Sequence, residues 1–154
     1  MTALVFAASV MLGSGLPAAP PPVMVAVDNF QQTGIWQSEY RGRYYAGDLE
    51  GLRTCLVWRE SRGHYYSTGQ QGAHEGAYQM TDALWRGAAW MMTAEMRKAW
   101  PSTWRITRAA LLETPGHLWG RFWQDMAFYT VVNWERPRSG MRHWHLDGSK
   151  CNGY

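Results

Sequence analysis

Cysteine is scarce in this chain, because Cys55 and Cys151 are the only two among 154 residues. Two cysteines are too few for a scaffold built on disulfides, and they lie too far apart for a zinc knuckle. They are either free thiols or the two ends of one bridge. Positive charge is also missing from the start of the chain: residues 1–27 carry no charged side chain, and the first basic residue is Arg41.

Charged residues make up only 18% of the chain against 46% hydrophobic residues, which excludes intrinsic disorder. The length suits one domain with its own core. The net charge of +3 suits an anionic partner without naming one. The basic residues are scattered and no glycine-rich phosphate loop occurs, so nucleic acid is not indicated. Ten Trp and eight Tyr are typical of carbohydrate or protein binders, and an ordinary core would use them equally well.

Residues 1–27 resemble a secretory leader, with an apolar run over Ala3–Leu12 and then a proline-rich end. A basic first segment and a clean cleavage site are both missing. Pro17 and Pro20–Pro22 interrupt the stretch before about 20 apolar residues accumulate, which makes a membrane anchor the weaker alternative. We therefore expect a secreted protein. Export favours a bridge between the two cysteines.

The rest of the chain divides into an irregular aromatic arm at residues 28–46 and a mainly helical domain at residues 47–154. We expect one helix capped by Asp48 and ending at Gly63, and a short hairpin or loop between Gly63 and Tyr78. Further predicted helices begin at Thr81-Asp82, span Thr93 to Trp100, and begin at Thr114-Pro115, the last being the longest.

Glu60 is a charged residue on an apolar helix face. Leu52 and Leu56 recur at helical spacing, and Glu60 continues their stripe one turn later. It also falls in the last turn, near the negative end of the helix dipole. Burial and the dipole both favour the protonated carboxyl, the form that a general acid needs. The alternative is a Glu60 that turns to solvent or pairs with Arg59 or Arg62.

Around Glu60 the chain resembles the lysozyme-like superfamily, especially actinobacterial secreted transglycosylase-like domains and resuscitation-promoting factors. The resemblance spans about 100 residues, and it is carried by Cys55, Trp58–Gly63, Gly76–Met80, Leu84-Trp85, Gln124-Asp125, Ala127, Arg142–Trp144 and Cys151. It implies a small α+β domain with a short hairpin, a cleft and one disulfide joining Cys55 to Cys151. Three features depart from the pattern: His64 replaces a frequent Asn, the stretch from Gly87 to Thr114 is long, and the arm is unmatched.

The resemblance implies that Glu60 is the catalytic acid and that Gln79 lines the cleft and binds sugar. Tyr78 would support the same wall, Trp85 would begin the next helix beside it, and His64 would adjoin a subsite. Among Glu75, Asp82 and Asp125, only Glu75 is a candidate second carboxyl for a glycosidase. A lytic transglycosylase would need none, because one Glu serves as acid and then as base.

The implied function is cleavage of the β-1,4 bond between N-acetylmuramic acid and N-acetylglucosamine in peptidoglycan, by hydrolysis or by anhydro-forming transglycosylation. Alternatives are a non-catalytic wall-binding or virion module that keeps the cleft, and a secreted inhibitor or adhesin with exposed Trp clusters. We expect no cofactor and no metal, since His143 and His145 would alternate across a strand. Together with Trp144, these two histidines are expected to pack the C-terminal tail or to line the edge of the cleft. Anionic cell-wall polymers are a second candidate partner. The protein is expected at the cell wall or on a phage virion, and it is expected to be a monomer outside a virion.

Overall fold

The computed structural model describes residues 15–24, residues 36–146 and Cys151. These parts form a mainly helical fold with one small antiparallel sheet and one disulfide, which confirms the predicted mainly α class. The helices are α1 (Glu50–Ser61), α2 (Asp82–Met91), α3 (Thr93–Ala99), α4 (Trp104–Glu113) and α5 (Arg121–Asn133), and the strands are β1 (Thr68–Gly69) and β2 (His74–Glu75). Short 3₁₀ helices lie at Gly47–Leu49, Gln70–Gly72, Gly116–Leu118 and Ser139–Trp144.

Helix α1 ends where the sequence predicts but begins differently. Arg62 adopts the left-handed conformation just after the helix, and the amides of Arg62 and Gly63 donate to carbonyls of the last turn. Asp48 does not cap the helix: it lies within the preceding 3₁₀ turn, and Leu49 occupies the N-cap position without a side-chain hydrogen bond. The predicted cap at Asp48 is therefore wrong.

Helices α2 and α3 follow the prediction, whereas α4 was not predicted. The Thr81 side chain accepts a hydrogen bond from the amide of Leu84 and so caps α2, as expected at Thr81-Asp82. Helix α3 ends just before Pro101. After a turn at Pro101, α4 adds a helix that occupies the long stretch before Thr114 and packs against both α2 and α3.

Helix α5 is the longest helix, and it begins six residues later than predicted, at Arg121 instead of Pro115. Residues Gly116–Leu118 form only a 3₁₀ turn, and Gly120 is the N-cap. Every residue from Phe122 to Val132 is buried, so the helix is surrounded on all sides by protein. Helix α5 is thus the central element of the core, not an amphipathic surface helix.

The two strands confirm the predicted hairpin between Gly63 and Tyr78. Thr68 pairs with Glu75 and Gly69 pairs with His74. A further antiparallel bridge joins Glu75 to Met80, so the chain reverses again before α2 begins. This second reversal brings Gln79 next to the hairpin.

The proline-rich segment at residues 15–24, predicted to end a leader, is packed into the domain. Leu16 is buried, and the Pro17 carbonyl accepts a hydrogen bond of 3.0 Å from Trp100 Nε1. Carbonyls of the proline run accept from Trp123 Nε1, and the Val23 carbonyl accepts from the amide of Gly120. We call residues 15–24 the strap, since it binds across α3 and α5. The remaining leader residues, 1–14 and 25–27, lie outside the described part.

Within the predicted arm, residues 36–46 also join the core. The Tyr40 side chain is buried, and its hydroxyl donates to Glu95 Oε2 at 2.8 Å. The other Glu95 oxygen accepts from the amide of Arg43 at 2.6 Å. A carboxylate on α3 therefore fixes the arm, and this contact joins the N-terminal part of the domain to its helices.

The predicted bridge between Cys55 and Cys151 is confirmed. Their Cα atoms are 5.7 Å apart, and the bond closes a loop of 96 residues that attaches the end of the chain to α1. Within the described ranges, no helix is both long and apolar enough to span a bilayer.

Candidate functional site

An open groove lies where the hairpin, the start of α2 and the final 3₁₀ helix meet. It has a volume of about 360 Å³ and is lined by His74, Gln79, Met80, Thr81, Ala83, Leu84, His143 and Trp144. Its lining combines apolar side chains with imidazole, amide and hydroxyl groups. A mixture of apolar surface and a few polar groups is typical of small-ligand and sugar sites.

Gln79 is the predicted sugar-binding residue, and it lines the groove in a constrained position. Its backbone is left-handed, with φ of 48°. The side-chain amide nitrogen donates to the carbonyls of Gly76, at 3.0 Å, and Ser67, at 3.4 Å. Both amide hydrogens thus hold the loop together, which leaves the Oε1 atom as the acceptor available to a ligand.

Glu60 lies in the last turn of α1, and its side chain keeps 24% of its exposure. Arg59 binds one oxygen of this carboxylate: Nε and Nη2 lie 2.8 and 2.5 Å from Glu60 Oε1. The same Nη2 donates to the Trp144 carbonyl at 2.6 Å. Glu60 is therefore paired with Arg59, as one of the alternatives above had it, and it does not line the groove. A tight pair outside the groove is the arrangement that weighs against a catalytic Glu60. Arg59 connects it to Trp144, a residue of the groove wall.

Glu75, the candidate second carboxyl, is bound to the segment before α5. Its Oε2 accepts from the backbone amide of His117 at 3.3 Å, and His117 Nδ1 lies at the same distance without hydrogen-bond geometry. His64 is exposed just after α1, where its ring meets the edge of Tyr66. Neither Glu75 nor His64 is among the groove residues.

Tyr78 and Trp85 are both fully buried, so neither side chain can contact a glycan in this structure. Tyr78 donates its hydroxyl to Asp125 at 2.6 Å, while its carbonyl accepts from Trp144 Nε1 at 2.8 Å. Trp85 packs edge-on against Trp119. Both side chains therefore lie behind the groove surface, where Tyr78 supports the wall through Trp144.

A buried polar network lies beneath this wall and was not predicted. Asp125 Oδ1 accepts from the hydroxyls of Tyr65 and Tyr78 and lies 3.6 Å from Arg53 Nη1, and none of these side chains is exposed. Arg53 also binds the Glu50 carboxylate, with Nη2 to Oε2 at 3.1 Å. Buried charges need such partners. The network anchors α1, the hairpin region and α5 to one another.

Gln124 is the second buried group that holds the groove in place. Its Oε1 accepts from the amide of Ala77, and its Nε2 donates to the carbonyls of Tyr65 and Trp119, all within 2.9 Å. Gly76 approaches this amide closely with φ of 76°, a backbone conformation that favours glycine. The turn before Gln79 is thus positioned by Gln124, a residue that the sequence indicates only through the resemblance.

Two histidines, His74 and His143, line the groove, and of these only His143 was expected at the edge of the cleft. His74 Nδ1 is a buried atom without a hydrogen-bond partner in the described part of the chain. Burial and the nearby charges of Arg142 and His145 lower the pKa of His143 below its ordinary 6.5. The groove therefore offers a neutral imidazole near neutral pH. No signal in the sequence places His74 beside Gln79.

Comparisons of the chain with protein-family models, curated proteins and solved structures find no match. Function is therefore inferred from the site residues, from the resemblance given above and from the geometry of the groove. No cluster of three or more His, Cys, Asp or Glu side chains suited to a metal lies in the described ranges.

Proposed function

We propose that this protein is a lysozyme-like, peptidoglycan-cleaving glycosidase, with Glu60 as its acid and base. The observation that carries the proposal is the bridge formed by Arg59, which contacts both the Glu60 carboxylate and the Trp144 carbonyl at the groove wall. It couples the one carboxylate expected to be catalytic to the groove that contains Gln79. The polar groove residues would bind the acetamido and hydroxyl groups of the glycan.

The proposed chemistry needs one carboxyl group. Glu60 Oε2, which has no hydrogen-bond partner among the described residues, donates its proton to the glycosidic oxygen as the C1–O bond breaks. Either the C6 hydroxyl of the muramic acid or a water molecule then attacks C1, and its proton returns to Glu60. The first route forms a 1,6-anhydro sugar, and the second forms a reducing end.

For this step the contact between Arg59 and Glu60 must loosen, so that the carboxyl can carry a proton. The two side chains are 29% and 24% exposed. Breaking a partly exposed ion pair costs only about 1 kcal/mol or less. The binding energy of a glycan that fills the groove can supply that amount.

The same ion pair favours a second candidate, a non-catalytic wall-binding or virion module. If Arg59 and Glu60 only fix the final 3₁₀ helix through Trp144, the groove binds glycan without cleaving it. In that case, removing the Glu60 charge would change the stability of the fold, and neither the wild type nor the variant would release muropeptides. The two candidates therefore predict different outcomes for one variant.

We expect purified full-length protein to release soluble muropeptides from peptidoglycan, and Glu60→Gln to release at least about 100-fold less, because general acid catalysis contributes factors of this size. Mass spectrometry of the products identifies anhydro or reducing ends. Glu113→Gln, an exposed glutamate on α4, is the matched control and should stay active. If the wild type and Glu60→Gln both bind peptidoglycan and neither releases muropeptides, the protein is the binding module and not the enzyme.

A further inference from the structure

An exposed ladder of alternating aromatic and guanidinium groups lies on α2 and α4. The Arg108 guanidinium is 4.0 Å from the ring centre of Trp90 and 5.1 Å from that of Trp104. Trp104 also carries the Arg105 guanidinium, at 4.4 Å from its ring centre. We call these four residues the Trp–Arg ladder. Trp90 is 55% exposed and Arg105 is exposed, whereas Trp104 is partly buried against the core, so the ladder lies at the surface with one ring anchored in the fold.

The two arginines of the ladder are not neutralised. Neither Arg105 nor Arg108 has a carboxylate within ion-pair distance in the part of the chain that the structure describes. They are three residues apart on one helix, so their side chains lie on the same face. Stacking on indole holds a guanidinium by its flat face and leaves its N–H edge to bind an anion.

We propose that the Trp–Arg ladder binds a polymer of phosphodiester-linked polyol units, gripping successive phosphates through Arg105 and Arg108. Charge complementarity selects an anion, and the planar fork of arginine matches the paired oxygens of a phosphate. Two guanidinium groups in fixed positions favour a chain of repeated charges over a single ion. The choice of a wall polymer rests on the proposed function, whereas phosphate binding itself does not.

The geometry favours this polymer over the other large polyanions. Single-stranded nucleic acid binds by stacking its bases on free aromatic faces. In the ladder, guanidinium groups already cover faces of both Trp90 and Trp104. A bilayer surface would need a broad apolar face to insert, and the large aliphatic side chain exposed beside the arginines is Ile106, at 73% exposure.

The test measures binding of the full-length protein to poly(glycerol phosphate) by titration calorimetry, at several salt concentrations. We expect Arg105→Gln/Arg108→Gln to weaken binding at least about tenfold and to flatten the salt dependence, because each lost phosphate contact lowers the salt slope by about 1. Arg108→Lys, which keeps the charge and loses the planar fork, should lose part of the affinity. Melting temperatures confirm that each variant is folded.

Arg62→Gln/Arg97→Gln is the matched control, because it removes the same charge from exposed positions that are not part of the ladder and form no ion pair among the described residues. Equal losses in both double variants, or no binding by the wild type, would overturn the proposal. Tighter binding to single-stranded DNA, or to phosphatidylglycerol vesicles, would overturn it in favour of those partners. Glu60→Gln should bind the polymer normally, so failure of the glycosidase and failure of the ladder are distinguishable.

Discussion

At the scale of single residues, the charged groups that most need polar partners lie in the core of the domain. Arg53 is completely buried, and it contacts the Glu50 carboxylate, lies beside Asp125 and donates to the hydroxyls of Tyr65 and Tyr78. Removing one partner of such a group leaves a buried charge uncompensated, which commonly costs several kcal/mol. The groove wall therefore depends on charged groups that are buried behind it and do not reach its surface.

The first residue-level prediction concerns acid stability. Burial alone would raise the pKa of Glu50, but hydrogen bonds from Arg53 and Tyr129 outweigh it, and the pKa lies below its ordinary 4.5. A lowered pKa in the folded state adds stability above the pKa of the unfolded chain, and that stability is lost as pH falls through the folded value. Urea titrations from neutral pH to below pH 4.5 should show this loss.

Glu50→Gln is the comparison for this prediction, because it should lower stability at neutral pH and flatten the acid limb. An acid limb of unchanged slope in Glu50→Gln would contradict the assignment to Glu50.

A second residue-level prediction concerns Gly69. A methyl group on Gly69 would overlap Oε1 of Gln79, a residue that lines the groove. Because a flexible side chain can move aside, we expect Gly69→Ala to lower peptidoglycan cleavage several-fold while changing the free energy of unfolding by less than about 1 kcal/mol. Gly87→Ala is the control, since nothing lies near that position on α2. A fully active Gly69→Ala would exclude Gln79 Oε1 from substrate binding.

At the scale of elements, the strap is the contact that most changes the interpretation of the chain. It satisfies the indole nitrogens of Trp100 and Trp123 and the amide of Gly120, all with main-chain carbonyls. Without it, these buried donors would lose their partners, and aromatic surface on α3 and α5 would be exposed. Residues 15–24 are therefore a structural part of the folded domain.

The strap yields a stability prediction at this scale. Leu16→Ala should lower the free energy of unfolding by about 2–5 kcal/mol, because it removes a buried leucine from the core. Met24→Ala, at an exposed end of the same strap, should change it by less than about 0.5 kcal/mol. Chemical denaturation of both purified variants checks the difference. Equal stability of Leu16→Ala and wild type would contradict docking of the strap.

Elements specified by nearby residues were predictable, and those specified by distant ones were not. The start of α2 follows from the hydroxyl of Thr81, which acts three residues away. The start of α5 does not follow from Pro115, because the amide of Gly120 binds the distant carbonyl of Val23. Glu60 could be singled out by its helical spacing, but its pairing with Arg59 could only be given as one of several alternatives.

At the scale of the whole molecule, the disulfide limits how far the chain can unfold. Replacing Cys55 and Cys151 with serine should lower the free energy of unfolding by about 4–5 kcal/mol on the chain-entropy account, given the 96-residue loop. Thermal melts of the double variant and of the reduced wild type should agree. A melting temperature that is unaffected by reduction would mean that the bridge adds no stability.

The strap also constrains the order in which parts of the protein can fold during synthesis. Its partners Trp100 and Trp123 follow it by 83 and 102 residues. At the usual pace of about 5–20 residues per second, a ribosome delivers Trp123 roughly 5–20 s after the prolines that its indole binds. During that interval the nascent segment has nothing to dock against. The strap leaves the ribosome before its partners but can pack only after they have been synthesised. The core therefore reaches its final packing only when nearly the whole chain has been made.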